Sequence, residues 1–215
     1  MESDKTEQMK QWSEEFGKEY TDRNYMGDSN FDDLYRKRFG VSRSQLNDEF
    51  LSSLDKNLRI LEVGCNIGIQ LRILQNQGFT NLWGIEISEY ALDIARKETK
   101  NMNLVLGSAL DLPFKDGFFD LVFTSGVLIH ISPDDVGKAV DEIYRVSNKF
   151  IWGLEYFSEQ YETVEYRGNK DLLWKNNFAK LYMERYPDLN LVKEKRLKYL
   201  DSDNVDNMYL LEKSS

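Results

Sequence analysis

Apolar positions near the start of the chain recur at helical spacing. They occur at Met9, Trp12, Phe16 and Tyr20, which share one face if this stretch is helical. A polar break over residues 22–30 separates them from a second amphipathic stretch at about 31–54. An apolar stripe of this kind needs a surface to cover. We therefore expect residues 1–55 to be a helical segment that packs on the rest of the chain as a lid.

From residue 58 the pattern changes to short apolar runs that alternate with amphipathic helices. Strands are predicted at 58–63, 82–86, 104–106, 119–124 and 149–154. Helices are predicted at 67–77, from Ser88 to about 99, from Ser132 to about 147, and at about 171–185. Strands and helices in this order are typical of a parallel sheet that is covered on both faces.

Two strand-like runs, 191–200 and 207–212, close the chain. The turn at 201–204 between them is too short for a helical crossover, so these two strands are predicted to pair antiparallel. The pattern thus predicts an α/β fold over residues 56–215, with a mostly parallel sheet and an antiparallel last strand. Together with the helical segment it forms a single domain overall.

Charge and composition narrow the class of protein. The chain of 215 residues has 28 basic and 37 acidic side chains and a net charge of -9, so nucleic acid is not expected as a partner. A single cysteine, Cys65, excludes a disulfide framework and a multi-cysteine zinc site. No metal-ligand cluster, membrane-spanning run or signal peptide is apparent. We expect a cytoplasmic protein that acts on a small molecule, without a metal or a membrane.

A glycine turn follows the first predicted strand. It contains Glu62, Gly64, Cys65, Asn66 and Gly68. A nucleoside ligand lies across the carboxyl ends of parallel strands, where Gly64 permits a tight turn and Gly68 a close approach to the backbone. On its own the turn also fits an ordinary strand–helix connection.

Glu86 ends the second predicted strand, where a carboxylate can accept hydrogen bonds from ribose hydroxyls. The alternative is that Glu86 caps the backbone that begins at Ser88. Taken together with the glycine turn, the nucleoside interpretation is favoured.

Further segments give the chain a recognisable pattern. Gly107–Phe114 is a small-residue turn that ends in Leu-Pro-Phe, and Phe119–Val122 is Phe-Asp-Leu-Val. With the glycine turn and the final strand pair, they resemble class I S-adenosylmethionine-dependent methyltransferases over about residues 58–213. The resemblance implies a seven-stranded Rossmann-like sheet, S-adenosylmethionine as cofactor and methyl transfer as the reaction.

A closer resemblance extends over nearly the whole chain. Residues 12–24, 155–157 and 164–168 are similar to the methylases associated with pseudaminic acid biosynthesis. This similarity implies a small polar acceptor, such as a sugar or a nucleotide-sugar, that is methylated at oxygen or nitrogen.

The methyltransferase resemblance also implies which residues contact the cofactor. The methionine part is assigned to Glu62, Gly64, Cys65, Asn66 and Gly68, the ribose and adenine to Glu86, Ile87, Ser108, Ala109 and Leu110, and the sulfonium to Ser125 and Gly126. The chain departs from the usual pattern at two positions. Asn66 occupies the place of the middle glycine, and Ser108 stands where an aspartate is common.

Other polar residues are candidates on chemical grounds. His130, the only histidine, follows the fourth strand and is a candidate general base; the alternative is a structural histidine bonded to the backbone. Tyr20 and Arg23 lie at the polar elbow, where Arg23 suits a cofactor carboxylate unless the elbow is simply a solvated loop. Acceptor contacts are predicted from a loop that could also be an ordinary surface loop, at Tyr156, Tyr166, Arg167 and Asn169.

Two other functions compete with methyl transfer. A nicotinamide-dependent oxidoreductase uses a similar nucleotide-binding sheet, but its Gly-x-Gly-x-x-Gly spacing differs from the Gly-x-x-x-Gly of Gly64 and Gly68. A non-catalytic module that binds the same cofactor has no sequence feature against it.

Overall fold

A computed structural model describes residues 6–25 and 28–214. Its helices are α1 Glu7–Ser13, α2 Glu15–Asn24, α3 Asp28–Phe39, α4 Arg43–Leu51, α5 Ile69–Asn76, α6 Glu89–Glu98, α7 Val136–Val146 and α8 Phe178–Arg185. Its strands are β1 Arg59–Val63, β2 Asn81–Glu86, β3 Asn103–Leu106, β4 Phe119–Ser125, β5 Ser147–Tyr156, β6 Glu162–Thr163, β7 Trp174–Lys175, β8 Leu189–Lys198 and β9 Val205–Lys213. Residues 26 and 27 of the predicted polar break lie outside the described residues.

Within the described chain, seven strands form one sheet in the order β3-β2-β1-β4-β5-β9-β8. The pairs from β3 to β5 are parallel, and β9 pairs antiparallel with both β5 and β8. The predicted sheet is therefore confirmed, including its antiparallel last strand. The strand order reverses between β1 and β4, and a crevice outside the carboxyl ends of the strands is the usual ligand site at such a point.

Alternate strand residues face opposite sides of the sheet, and each side is covered by helices. Leu61 and Val122 contribute to an apolar cluster with α7 and α8, whereas Ile60 and Leu121 contribute to a cluster with α4 and α5. The two buried faces explain why the strand sequences are almost continuously apolar. None of the helices in the described ranges is long and apolar enough to cross a membrane.

The second amphipathic stretch forms two helices where one continuous pattern was predicted. Gly40 adopts a φ of +75° at the end of α3, which is a conformation that favours glycine. Ser42 then starts α4 with a capping box, because its side chain accepts from the N–H of Gln45 while the Gln45 side chain accepts from the Ser42 N–H. The break turns α4 back towards the sheet.

The helix predicted at about 171–185 begins later than expected, so the first part of that prediction is wrong. Trp174–Lys175 pairs with Glu162–Thr163 as a short antiparallel hairpin, and Asn177 caps α8 by accepting from the N–H of Lys180. Trp174 is buried. Tertiary packing of Trp174 therefore overrides the local helical preference.

Candidate active site

A cavity of about 420 Å³ lies at the carboxyl ends of β1, β2 and β4. Most of the predicted site residues line it: Tyr20, Glu62, Gly64, Cys65, Asn66, Glu86, Ile87, Ser108, Ala109, Leu110, Ser125, Gly126, His130, Tyr156 and Tyr166. Four predicted residues lie outside the lining: Arg23, Gly68, Arg167 and Asn169. The fold thus brings segments far apart in sequence to one place.

The glycine turn has left-handed backbone at the residues predicted to need it. Gly64 has a φ of +74° and Gly68 a φ of +75°. A Cβ at Gly64 would lie 2.6 Å from the Val127 side chain, and a Cβ at Gly68 would lie 2.8 Å from that of Thr99. Gly64 therefore keeps the turn close to the loop after β4, while Gly68 lets α5 approach α6.

Asn66 stands where the family pattern has a glycine, and its conformation explains how the chain accommodates it. Its φ is +46°, a region that asparagine enters more readily than most residues. Its side chain accepts from the Ile67 N–H at 2.9 Å and donates to the Thr21 hydroxyl at 3.1 Å. The amide therefore joins the glycine turn to α2.

Glu62 is a buried carboxyl at the centre of the cavity floor. Within the described chain its Oε2 atom has no hydrogen-bond partner. Burial raises the pKa of Glu62 well above its usual range, and the neighbouring charge of Arg43 opposes this shift. A cationic group in the cavity would supply the partner that this carboxyl lacks.

Glu86 both caps the backbone and faces the cavity. Its Oε2 accepts from the Asn66 N–H at 2.8 Å, and its Oε1 accepts from the Ile87 and Ser88 N–H groups at 2.9 Å each. Burial raises the pKa of Glu86, while these three N–H donors lower it. A carboxylate offers about four acceptor positions, so some capacity remains for a ligand.

His130 has a defined tautomer. Its Nδ1 lies 2.7 Å from the Leu172 carbonyl oxygen, which can only accept, so Nδ1 carries the proton and Nε2 is the free acceptor. Burial lowers the pKa of His130 to about 4. The ring lies among aromatic side chains, 4.5 Å from Trp12, 6.1 Å from Tyr20 and 5.6 Å from Tyr166 between centroids. The imidazole is therefore neutral at pH 7 and does not titrate near neutrality as the sequence suggested.

Glu155 holds the turn that carries His130 and was not among the predicted site residues. Its carboxylate accepts from the Val127 N–H at 3.1 Å and from the Ile129 N–H at 3.4 Å. Burial raises the pKa of Glu155 to about 7, and the hydrogen bonds to this loop oppose the shift. Its position as an acid near the end of a predicted strand, like Glu86, is the signal that could have identified it.

Helices α1 and α2 lie across the cavity. The Gln8 side chain donates to the His130 carbonyl oxygen and accepts from the Ser132 N–H at 2.9 Å. Tyr90 on α6 donates to Asp22 at 2.6 Å. These contacts attach α1 to the segment after β4 and α2 to helix α6.

The four predicted residues outside the lining have other surroundings. Arg23 pairs with Glu19 at 3.4 Å on the outer face of α2, and Asn24 lines the cavity instead. Arg167 has a φ of +52° in a turn in which the Asn169 side chain donates to its carbonyl oxygen. Gly68 lies against α6.

Several cavity residues were missed. Three of them come from elements remote from the motifs, whereas Gln70 lies on the helix that directly follows the glycine turn. The missed residues are Tyr35 and Arg38 from α3, Gln70 from α5 and Asp206 from β9. The Gln70 amide is buried, and within the described residues neither of its polar atoms has a partner. Local sequence gave no signal for these positions, since only the tertiary fold directs them to one cavity.

Comparison with known proteins shows what the central part of the chain resembles. A family described as "Methyltransferase domain" matches residues 61–149. These residues are therefore similar to a methyltransferase domain. The match begins in β1 and ends in β5, so it includes the glycine turn, Glu86 and the loop that carries His130.

Individual relatives and solved structures also resemble the chain. The chain is 32% identical over 113 residues to 24-methylenesterol C-methyltransferase 2 of Arabidopsis thaliana, covering 50% of this chain and 30% of that protein. The PH0226 protein of Pyrococcus horikoshii OT3 has a TM-score of 0.68 at 17% identity, covering 91% of this chain and 95% of that one. The 1,6-didemethyltoxoflavin-N1-methyltransferase of Burkholderia thailandensis, solved with bound S-adenosylhomocysteine, has a TM-score of 0.64 at 15% identity and covers 80% and 76%.

The comparisons confirm the class I methyltransferase fold. The matched family makes S-adenosylmethionine the expected cofactor. The chain spans less than a third of the length of the sterol methyltransferase that it matches. The acceptor and the reaction of the whole protein are therefore considered as proposals below.

The chemistry of the cavity fits this cofactor. The unpartnered Glu62 oxygen suits an ammonium group, and the remaining acceptor capacity of Glu86 suits a ribose hydroxyl. Ile85, Ile87 and Leu110 provide apolar surface for an adenine ring. No group of His, Cys, Asp and Glu side chains within the described residues could hold a metal ion.

Proposed function

We propose that the protein is an S-adenosylmethionine-dependent methyltransferase of a small polar acceptor, a sugar or nucleotide-sugar, at oxygen or nitrogen. The observation that carries the proposal is the position of His130. It shares one cavity with Glu62 and Glu86, and its Nε2 atom is the free acceptor of its ring. A methyl acceptor between them would have a cofactor on one side and a proton acceptor on the other.

The cofactor supplies a methyl group on a sulfonium. Glu62 would hold the ammonium group of this cofactor and Glu86 a ribose hydroxyl, and these contacts would fix where the methyl group lies. His130 would accept a hydrogen bond from the acceptor hydroxyl and orient its lone pair. A hydroxyl that is methylated must lose its proton, and His130 would take that proton at Nε2. A neutral amine acceptor would need only the orientation.

The acceptor class is supported by the polar groups opposite the cofactor residues. Tyr20, Tyr156 and Tyr166 bring hydroxyl groups to the same cavity as His130. Such groups suit a polyhydroxylated molecule. The similarity to methylases associated with pseudaminic acid biosynthesis agrees with this choice. Arg167 and Asn169 remain predicted acceptor contacts only if their turn moves towards the cavity when the acceptor binds.

A direct test uses isothermal titration of the full chain with S-adenosylhomocysteine and with NADH. Binding of the first ligand alone is expected. Mass spectrometry should then detect S-adenosylhomocysteine when the protein is incubated with S-adenosylmethionine and a panel of nucleotide-sugars. Binding of NADH alone would overturn the proposal in favour of an oxidoreductase, and cofactor binding without turnover on any acceptor would favour a non-catalytic module.

A further inference from the structure

One end of the cavity, away from the adenine-binding turn, contains a second group of polar residues. Arg38 comes from α3, Tyr156 from the end of β5 and Asp206 from β9, and all three line the cavity. Tyr156 and Asp206 are direct partners in the β5–β9 ladder. The sheet therefore fixes two of the three, and the α3 helix brings the third.

Asp206 has an unused acceptor. Its side chain is 5% exposed, and within the described chain its Oδ1 atom has no hydrogen-bond partner. Its Oδ2 atom accepts from the Tyr199 hydroxyl at 3.4 Å, which is long for a hydrogen bond between oxygens. Buried polar groups are nearly always satisfied, so the free oxygen indicates a missing donor.

Arg38 has unused donors. Its guanidinium lies 5.2 Å from the Tyr199 ring centroid and 6.0 Å from that of Phe39, contacts that restrict its position. Among the described residues it has neither a hydrogen bond nor an ion pair through this group, so its N–H fork is available to an anion. Arg38 and Asp206 line the same cavity without forming an ion pair with each other.

The charges around the cavity select the kind of anion. Arg38 is the single arginine or lysine in the described lining, whereas Glu62, Glu86 and Asp206 are acidic. A phosphate group carries a charge of about −1.5 to −2 at pH 7, and Arg38 alone in the described lining would have to balance it. A carboxylate carries a single negative charge and matches the planar guanidinium fork.

We propose that Arg38 and Asp206 form an acceptor-recognition subsite for a small hydroxylated carboxylate. Arg38 binds the carboxylate of the acceptor, and the free oxygen of Asp206 accepts a hydrogen bond from a neighbouring hydroxyl. The subsite deepens the proposed methyl transfer and rests on it, because it defines which molecule is held beside His130.

The test is a titration of the full chain, with and without saturating S-adenosylhomocysteine, with D-glucuronate, D-glucose and glucose 6-phosphate. These probes share a ring and differ in charge. Glucuronate should bind at least about tenfold more tightly than glucose. The Arg38→Gln variant should lose this preference, Arg38→Lys should keep part of it, and Asp206→Asn should weaken glucuronate.

The matched control is Arg36→Gln on the same helix, because Arg36 is exposed and pairs with Asp33 outside the cavity lining. It should leave all three affinities unchanged. Equal affinity for glucuronate and glucose, or binding of neither, would overturn the subsite, and tighter glucose 6-phosphate would overturn the choice of carboxylate. An Arg38→Gln variant that loses affinity for S-adenosylhomocysteine but not for glucuronate would assign Arg38 to the cofactor. If the wild-type chain does not bind S-adenosylhomocysteine, methyl transfer fails, while the titrations without it still test the subsite.

Discussion

The two ends of the cavity are built in different ways. The cofactor end uses the backbone turns after β1, β2 and β3, with positive φ at Gly64 and N–H groups gathered by Glu86. The other end, which we propose holds the acceptor and call the acceptor end, uses side chains from α1, α2, α3, β5 and β9. A ligand shared by a whole family can be held by backbone geometry, whereas a specific acceptor needs side chains that vary. The fold therefore supplies one end of the cavity through its backbone turns, and the particular side chains of this protein supply the other.

Two carboxylates near the ends of strands also differ in whether they face the cavity. Both accept from loop N–H groups: Glu86 from the loop after its own strand, and Glu155 from the loop after the neighbouring strand β4. Glu86 also lines the cavity, whereas Glu155 does not. Capping alone therefore does not indicate ligand binding, and the open acceptor of Glu86 distinguishes the two.

The largest expected effect concerns His130 at the acceptor end. With a known acceptor, His130→Ala should lower turnover by ~10²–10⁴-fold, because the attacking hydroxyl loses its proton acceptor. Affinity for S-adenosylhomocysteine should stay within a few fold. Because the pKa of His130 is about 4, its protonation should not change wild-type turnover between about pH 7.5 and 5.5. Turnover should fall as the pH approaches 4. Near wild-type turnover in the variant would restrict His130 to a structural role.

The next effect separates the two carboxylates. Glu86→Ala should weaken S-adenosylhomocysteine by about tenfold to a hundredfold, equivalent to ~1.5–3 kcal/mol for a lost charge-assisted contact. Glu155→Ala is the matched control, since it also removes a cap from buried loop N–H groups. It should leave affinity for S-adenosylhomocysteine within a few fold of the wild type. It should lower turnover, because the turn that carries His130 loses its hydrogen bonds to Glu155. Calorimetry on both variants is the measurement, and equal losses of affinity would reduce Glu86 to a capping residue.

The sequence predicted the fold and the cofactor end because both follow from local patterns. Strand and helix alternation specified the sheet, and the left-handed turn at Gly64 is encoded by the glycine itself. The predicted helix over 171–177 was wrong because Trp174 is buried in a hairpin that no local pattern shows. Asp206 was missed for a related reason. Only the pairing of β9 with β5 places it opposite Tyr156.

The lowered pKa of His130 also makes the free energy of unfolding depend on pH. Burial holds the folded pKa at about 4, below its ordinary value of 6.5, so the unfolded chain binds the proton more readily. Stability from this group is therefore present above about pH 6.5 and is lost as the pH falls towards 4. Between pH 7 and 5 the loss should be about 2 kcal/mol.

Two buried carboxyl groups change the free energy of unfolding with pH in the opposite direction. Burial raises the pKa of Glu155 and of Asp206 to about 7, so their contribution falls as the pH rises. The contribution of the histidine is isolated by comparing urea unfolding of the wild type and His130→Gln at both pH values. The wild type should lose about 2 kcal/mol more than the variant on acidification. Parallel losses would mean that the imidazole is solvated.

The smallest expected effect concerns the bond that joins the two ends. Thr21 is buried, donates to the Gly17 carbonyl oxygen at 3.0 Å and accepts from the Asn66 amide at 3.1 Å. Thr21→Val keeps the shape but leaves the Asn66 amide without this acceptor, which should cost ~1 kcal/mol in the opening free energy of α2. Thr99→Val is the matched control, because Thr99 also donates to the carbonyl oxygen four residues earlier but lies at the C-terminal end of α6. Hydrogen exchange of residues 15–24 should accelerate about fivefold in the first variant and stay unchanged in the second.

The same measurement tests whether residues 6–25 act as a lid. If they do, S-adenosylhomocysteine should slow their exchange in the wild type. It should slow exchange less in Thr21→Val, since the cofactor turn and α2 would no longer be joined. Equal exchange with and without the ligand in both proteins would mean that the helices only pack against the domain.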